Sequence, residues 1–130
     1  NSSKRAVACA LTMHAANTLL IAPILRATGV PPLEFRVSMD FGPVMIAKIG
    51  AAQRFNANVA IGATANFASK MIPNLKAGEI GLGTMAWARL PDYWRTTWSH
   101  LSPISTGWTW GQKNTPYGLW LYTGRWNKLI

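Results

Sequence analysis

Gly62, Asn66 and Lys70 stand at four-residue intervals, a spacing that aligns side chains on one face of a helix. An amide and an ammonium set one turn apart can reach the same anionic group, as chemistry in which charge grows on phosphoryl oxygens would need. Taken singly, each residue has a plainer reading: Asn66 as a capping or helix-surface residue, Lys70 as a solvated lysine. Other reactive groups are sparse. Cys9 is the single cysteine, so neither an internal disulfide nor a zinc set can be built on it. A reducing, cytoplasmic compartment is the default expectation. His14 and His100 suggest no catalytic pair, and there is no nucleophile elbow. Gly81 to Ala86, GLGTMA, formally fits a dinucleotide fingerprint. The strand before it is short and no acidic residue follows about twenty positions on, so its glycines read as a strand-to-helix turn.

The elements that must position these groups alternate in type. Ser3 is expected to cap a helix running to about Thr28, closed by Gly29 and Pro31-Pro32. Phe35, Val37, Met39 and Phe41 alternate with polar residues as a half-buried strand does. Gly42-Pro43 is expected to turn the chain so that Val44 to Ile49 returns as its partner strand. Val59 to Ile61 is a short apolar strand, and a helix from Thr64 to Met71 stops before Pro73. Glu79 to Leu82 reads as another strand, with Thr84 capping a helix to about Leu90. Trp108 to Gln112 and Leu119 to Thr123 alternate as strands.

Composition bounds the partners. Thirteen Lys/Arg against four Asp/Glu give a net charge of +9, which fits a polyanionic partner such as nucleotide phosphates or nucleic acid. The basic residues are scattered, however, where a nucleic-acid arm would cluster them. The shortage of acids is the stronger signal, since roughly a dozen would be usual at this length. It is read as an acidic part of the same protein lying outside the chain, and the Asn-Ser-Ser-Lys-Arg start fits a chain beginning inside a larger one. Ala6 to Leu25 has no formal charge over twenty residues, which raises a membrane span. Thr12, His14, Asn17, Thr18 and Pro23 argue for a helix packed on a sheet instead. The tryptophans and tyrosines from Tyr93 onward could stack bases or build a core or a dimer interface. No RNP-type motif accompanies them, so nucleic acid is not the expected partner.

From Glu34 to Arg89 the sequence resembles a class III nucleotidyl cyclase catalytic domain in its C-terminal half. FRVSMDFGPVMIAKIG is similar to the family's R-[IV]-G-[IL]-[HD]-x-G-x-V strand and the strand after it, through Arg36, Val37, Asp40, Gly42, Val44, Ile49 and Gly50. VAIGATANFASKM is similar to the G-[DN]-x-[VA]-N-x-A-[SA]-R-[LM] segment through Gly62, Ala65, Asn66, Ala68, Ser69 and Met71. AGEIGLG resembles the short strand that follows. The likeness extends from about Ala6 to Tyr122, with specific motifs between Arg36 and Gly83.

The resemblance implies an α+β fold, a ferredoxin-like class III cyclase sheet with helices packed on one side and the N-terminal part of the domain missing. Residues 1–130 would be a single partial domain, active as a head-to-tail homodimer on a nucleoside triphosphate. In the family the Asn orients the ribose and the Arg neutralises the transition state. Asn66 takes the first role and Lys70 the second, with the charge kept but the planar bidentate fork lost. Seven residues before the Asn, where adenylyl cyclases commonly carry an Asp that reads adenine, stands Val59, which offers a purine edge no hydrogen bond. That departure leaves an unusual base, a promiscuous site or a degenerate cyclase. With the Asp-containing hairpin and the terminal aromatic stretch ending YTGRW, it resembles the bacterial Pycsar pyrimidine cyclases of antiphage defence, with UTP expected before CTP. GQKNTPYGLWLY resembles the family segment whose Lys binds the triphosphate, making Lys113 the candidate; Phe55 is placed near the base, with core packing as its plainer reading. Two Mn²⁺ or Mg²⁺ ions are expected, with their aspartates outside this chain and none of its residues as ligands.

Overall fold

The computed structural model describes residues 1–50, 57–96, 101–104 and 106–128. It opens with one long helical run: α1 (Ser2–Ala16), a π turn (Asn17–Ile21) and α2 (Ala22–Ala27). Asn1, not Ser3, is the cap, its side-chain oxygen accepting from the Lys4 N–H at 3.1 Å. Ser3 is buried against the fold instead. At the π turn the Ala22 N–H reaches back to the Asn17 carbonyl, the wider ring that marks such a turn. The run ends as expected at Gly29, whose φ of 74° a side chain would resist. By length and composition the Ser2–Ala27 helix could cross a membrane, but Val7, Ala10 and Leu11 are buried against the sheet.

Four strands form that sheet in the order β1 (Val37–Met39), β4 (Ile80–Gly83), β8 (Leu119–Tyr122), β5 (Leu101–Ile104). β1 runs parallel to β4, with Val37 opposite Ile80, while β8 lies antiparallel to β4 and β5. Alternation sorts the side chains. Ile80, Leu82 and Tyr122 meet Val7 and Leu11 of α1 and Ala86 and Leu90 of the α4 (Thr84–Ala88) region. Leu119 on the other face meets Met71, the last residue of α3 (Ala63–Met71), and Leu75 just beyond it. A Cβ at Gly81 would lie 2.9 Å from the Leu75 methyls, so the sheet needs a glycine there to let Leu75 close over it. The α+β class with a mixed sheet is as the sequence implies; α1 and α4 lie on one face, and α3 adds a layer on the other.

One expectation fails. The chain does not turn at Gly42-Pro43 to lay the next strand beside β1. β2 (Met45–Ile49) pairs instead with β3 (Ala57–Ile61), Met45 opposite Ile61, and β4 takes the place beside β1. The reason is burial: every residue of β4 is buried, so Val37 and Met39 gain far more beside Ile80 and Leu82 than beside the hairpin. The β2–β3 hairpin keeps Met45 and Ile46 68% and 65% exposed.

Most of the described C-terminal aromatics belong to the interior. Trp94, Trp120 and Trp126 pack against the α1-side core, and Trp87 stacks on Trp120 with ring centroids 4.1 Å apart. Trp98 lies outside the described residues. β6 (Thr109–Trp110) and β7 (Thr115–Pro116) form a small hairpin before β8, shorter than the expected strand, and α5 (Asp92–Thr96) follows Pro91.

Candidate functional site

β3 passes into α3 through Gly62, at φ 134°, a conformation that side chains rarely adopt. The Asn66 N–H then donates to the Gly62 carbonyl at 3.0 Å, the first closed turn of the helix. Three contacts hold α3 in place. Ser38 of β1 donates to the Ala68 carbonyl at 2.6 Å, Thr64 donates to the Pro43 carbonyl at 3.1 Å, and Phe67 stacks on Tyr117 at 4.4 Å. Met71 is fully buried.

These anchors use one side of α3 and leave the other to Asn66 and Lys70. Both side chains are exposed, and no hydrogen bond or ion pair engages either of them among the described residues. Val59 lies on the strand that leads into the helix, opposite Ala47 and 36% exposed. Lys113 is exposed in the turn between β6 and β7, where Gly111 and Asn114 take positive φ. Phe55 lies outside the described residues. The structure thus unites Asn66 and Lys70 on one rigid helix with Val59 just before it, and puts Lys113 on a separate hairpin. Neither of the two largest described cavities is lined by Asn66 or Lys70. What α3 offers is an amide and a cation side by side on open surface.

Asp40 does a different job. Its carboxylate accepts from the Phe41 N–H at 2.8 Å, the Ala86 N–H at 3.4 Å and the Tyr117 hydroxyl. Burial first, and the Asp40 carboxylate second, push the Tyr117 phenol well above its ordinary range. A Cβ at Gly83 would strike the Asp40 carboxyl group, so this glycine is what admits Asp40 to its place. Asp40 therefore ties the end of β1 to the start of α4 and to the loop before β8. The knot is completed by Thr84, whose hydroxyl does not cap α4 but donates to the Gly118 carbonyl at 3.0 Å and accepts from its N–H at 2.8 Å. Beside it a cavity of about 600 Å³, lined by Phe41, Met85, Trp110 and Tyr117, opens toward the β2–β3 hairpin. The tie of Tyr117 to Asp40 and that of Thr84, expected only as a helix cap, to Gly118 could not be read from the sequence, because the partners lie 77 and 34 residues apart and no local pattern links them.

Among the described residues no three His, Cys, Asp or Glu side chains come together as a metal set. Asp40 is spent on three donors, Glu79 accepts from the Lys76 N–H, and Asp92 pairs with Arg95. These carboxylates do not fit a divalent-ion site in this chain.

No family model and no curated protein matches the chain. Among solved structures, that of the guanylyl cyclase Cya2 is similar at a TM-score of 0.69 and 18% identity, over 97% of this chain. The chain spans 60% of the length of that structure. At this identity the likeness shows the fold, a class III cyclase-like arrangement of sheet and helices.

Proposed function

We infer that the chain is the transition-state half of a nucleotidyl cyclase, which closes a nucleoside triphosphate to its 3′,5′-cyclic monophosphate and releases diphosphate. The observation that supports this best is the pair Asn66 and Lys70, free of structural duties on an α3 entered through Gly62, in a fold like that of a guanylyl cyclase. The ribose 3′ oxygen attacks the α-phosphorus and the diphosphate leaves, so negative charge spreads over phosphoryl oxygens. Asn66 orients the ribose. Lys70 supplies the charge that meets the transition state, as a point charge and not as a fork. Lys113 holds the triphosphate, and Val59 borders the base.

Val59 gives a purine edge no polar partner, so purine selection by that device is absent. The likeness to Pycsar-type cyclases makes a pyrimidine, UTP before CTP, the preferred substrate, with a role in antiviral defence in the cytoplasm. Two Mn²⁺ or Mg²⁺ ions would be held by carboxylates outside this chain. A half-site needs its complement, and a head-to-tail homodimer supplies it. The exposed apolar hairpin residues Met45 and Ile46 are the kind of surface a partner covers.

Incubating the full-length protein with Mn²⁺ and each of the four NTPs tests this. A cyclic pyrimidine monophosphate is expected, with turnover falling about a hundredfold in Asn66→Ala, as for loss of one transition-state donor. No cyclic product from any NTP overturns the reading. The alternative is a catalytically silent cyclase-like module used for dimerisation, which the same apolar hairpin also favours; it predicts dimers without turnover. A nucleic-acid-binding module is less well supported, because the aromatics that would stack bases are largely packed in the core.

A further inference from the structure

A second cavity, of about 420 Å³, opens where the chain leaves α1, beside Phe35 and Gly78, which precede β1 and β4. Asp40 lies beyond the other end of β1. The polar groups around this cavity are notable for what they leave unused. His14 is 7% exposed and stacks on Phe35 with centroids 4.4 Å apart, yet its Nε2 is buried without a partner. Asn17 donates through Nδ2 to the Leu33 carbonyl at 3.0 Å, but its Oδ1 is buried and unpartnered. Such atoms are costly to bury and ask for a ligand or water. Asn17 also begins the π turn, a local irregularity that recurs at functional sites.

Two opposite charges complete the lining. Arg125 is tethered to the carbonyls of Tyr122, Gly124 and Gly78, and these fix the guanidinium without neutralising it. Glu34 borders the same cavity, and no ion pair joins the two among the described residues. An amide acceptor and a carboxylate call for a donor cation; a guanidinium and an imidazole N–H call for an anion. A lone cation would leave Arg125 and His14 unanswered, and a lone anion would leave Asn17 and Glu34.

We propose that this cavity binds a small zwitterion, a free α-amino acid with an apolar side chain. Its ammonium donates to Asn17 Oδ1 and Glu34. Its carboxylate accepts from His14, with the imidazole hydrogen on Nε2, and faces Arg125. Its side chain lies against Phe35 and Trp126. The volume is within the range of small-molecule sites.

Titration calorimetry of the purified protein with L-valine and L-leucine tests the assignment. One ligand per chain is expected. Leucinamide, which lacks the carboxylate, and 4-methylpentanoate, which lacks the ammonium, are each expected to bind about tenfold more weakly or worse, because each strands buried polar groups. Glu34→Gln, at an exposed position, is expected to weaken L-leucine by a similar factor with the thermal midpoint unchanged. No heat from either amino acid at about 10 mM, a weak limit for a specific site, means that the cavity holds water only and overturns the proposal. Equal binding of leucinamide or 4-methylpentanoate also overturns it, because one charge alone is then read. Binding is measured without turnover, so failure here leaves the cyclase reading untouched.

Discussion

The two principal helices place their polar residues in opposite ways. α3 buries Met71, lays Phe67 on Tyr117 and leaves Asn66 and Lys70 on open surface. The run from α1 into the π turn does the reverse, burying His14 and half-burying Asn17 with polar atoms unsatisfied, while Leu20 and Ile24 are half exposed or more. On α3 the fold and the candidate chemistry are separable, because neither Asn66 nor Lys70 carries a packing duty. On α1 they are not, because His14 belongs both to the cavity and to the packing. The contrast teaches where a substitution reports on function and where it reports on folding.

Mutations can break or sharpen this contrast. The largest effect is expected in the shared core: Leu82→Ala, at a fully buried site between α1 and α4, should cost about 2–5 kcal/mol in a urea titration. A loss well under that range would mean the sheet is not the body on which both helices rest. Next is the knot beside α3. Asp40→Ala strands the Tyr117 hydroxyl and the N–H groups of Phe41 and Ala86, for an expected loss of about 1–3 kcal/mol, and Tyr117→Phe should lose less because the carboxylate keeps its two amide donors. If Asp40→Ala instead left stability intact, Asp40 would be released for chemistry.

A smaller effect belongs to α1. Burial, and then the nearby positive charge of Arg125, lower the His14 pKa below its ordinary 6.5. The folded chain therefore binds this proton less readily than the unfolded chain. The stability His14 contributes is complete above pH 6.5 and is lost as pH falls through that value toward the lowered one. Glu34 and Arg125 border the same cavity. His14→Phe, which cannot charge, should flatten this part of the profile in denaturation measured from pH 7.5 down to about 5; an unchanged slope would assign it to other groups. The smallest change in stability is expected at Asn66→Ala and Lys70→Ala, within about 0.5 kcal/mol for exposed sites away from packing.

Element types were legible in the sequence because local pattern determines them: alternation around Val37 and Met39, the Gly62 entry to α3, Gly29 and Pro73 as stops. Pairing was not. β2 follows β1 after a Gly-Pro turn, so a hairpin was the natural expectation, but the choice between β2 and β4 rests on burial of Ile80 and Leu82 that no window of sequence contains. That Asn66 and Lys70 share one helix face was legible through spacing; the roles proposed for them rest on family likeness. Asp40 appeared only as a motif position, because its real partners come from α4 and the loop before β8. His14 and Asn17 were visible as polar breaks in an uncharged run, but their meeting with Glu34 and Arg125 is a product of the tertiary fold.

On the proposed function, α3 carries catalytic groups that the fold does not need. The direct test is steady-state cyclisation of UTP and CTP by the full-length protein with Mn²⁺, run beside urea titrations of the same Asn66→Ala protein. A cyclic pyrimidine product is expected, with a fall in kcat of about a hundredfold and an unchanged unfolding midpoint. Equal losses of turnover and stability, or no cyclic product from the unsubstituted protein, would contradict the proposed function.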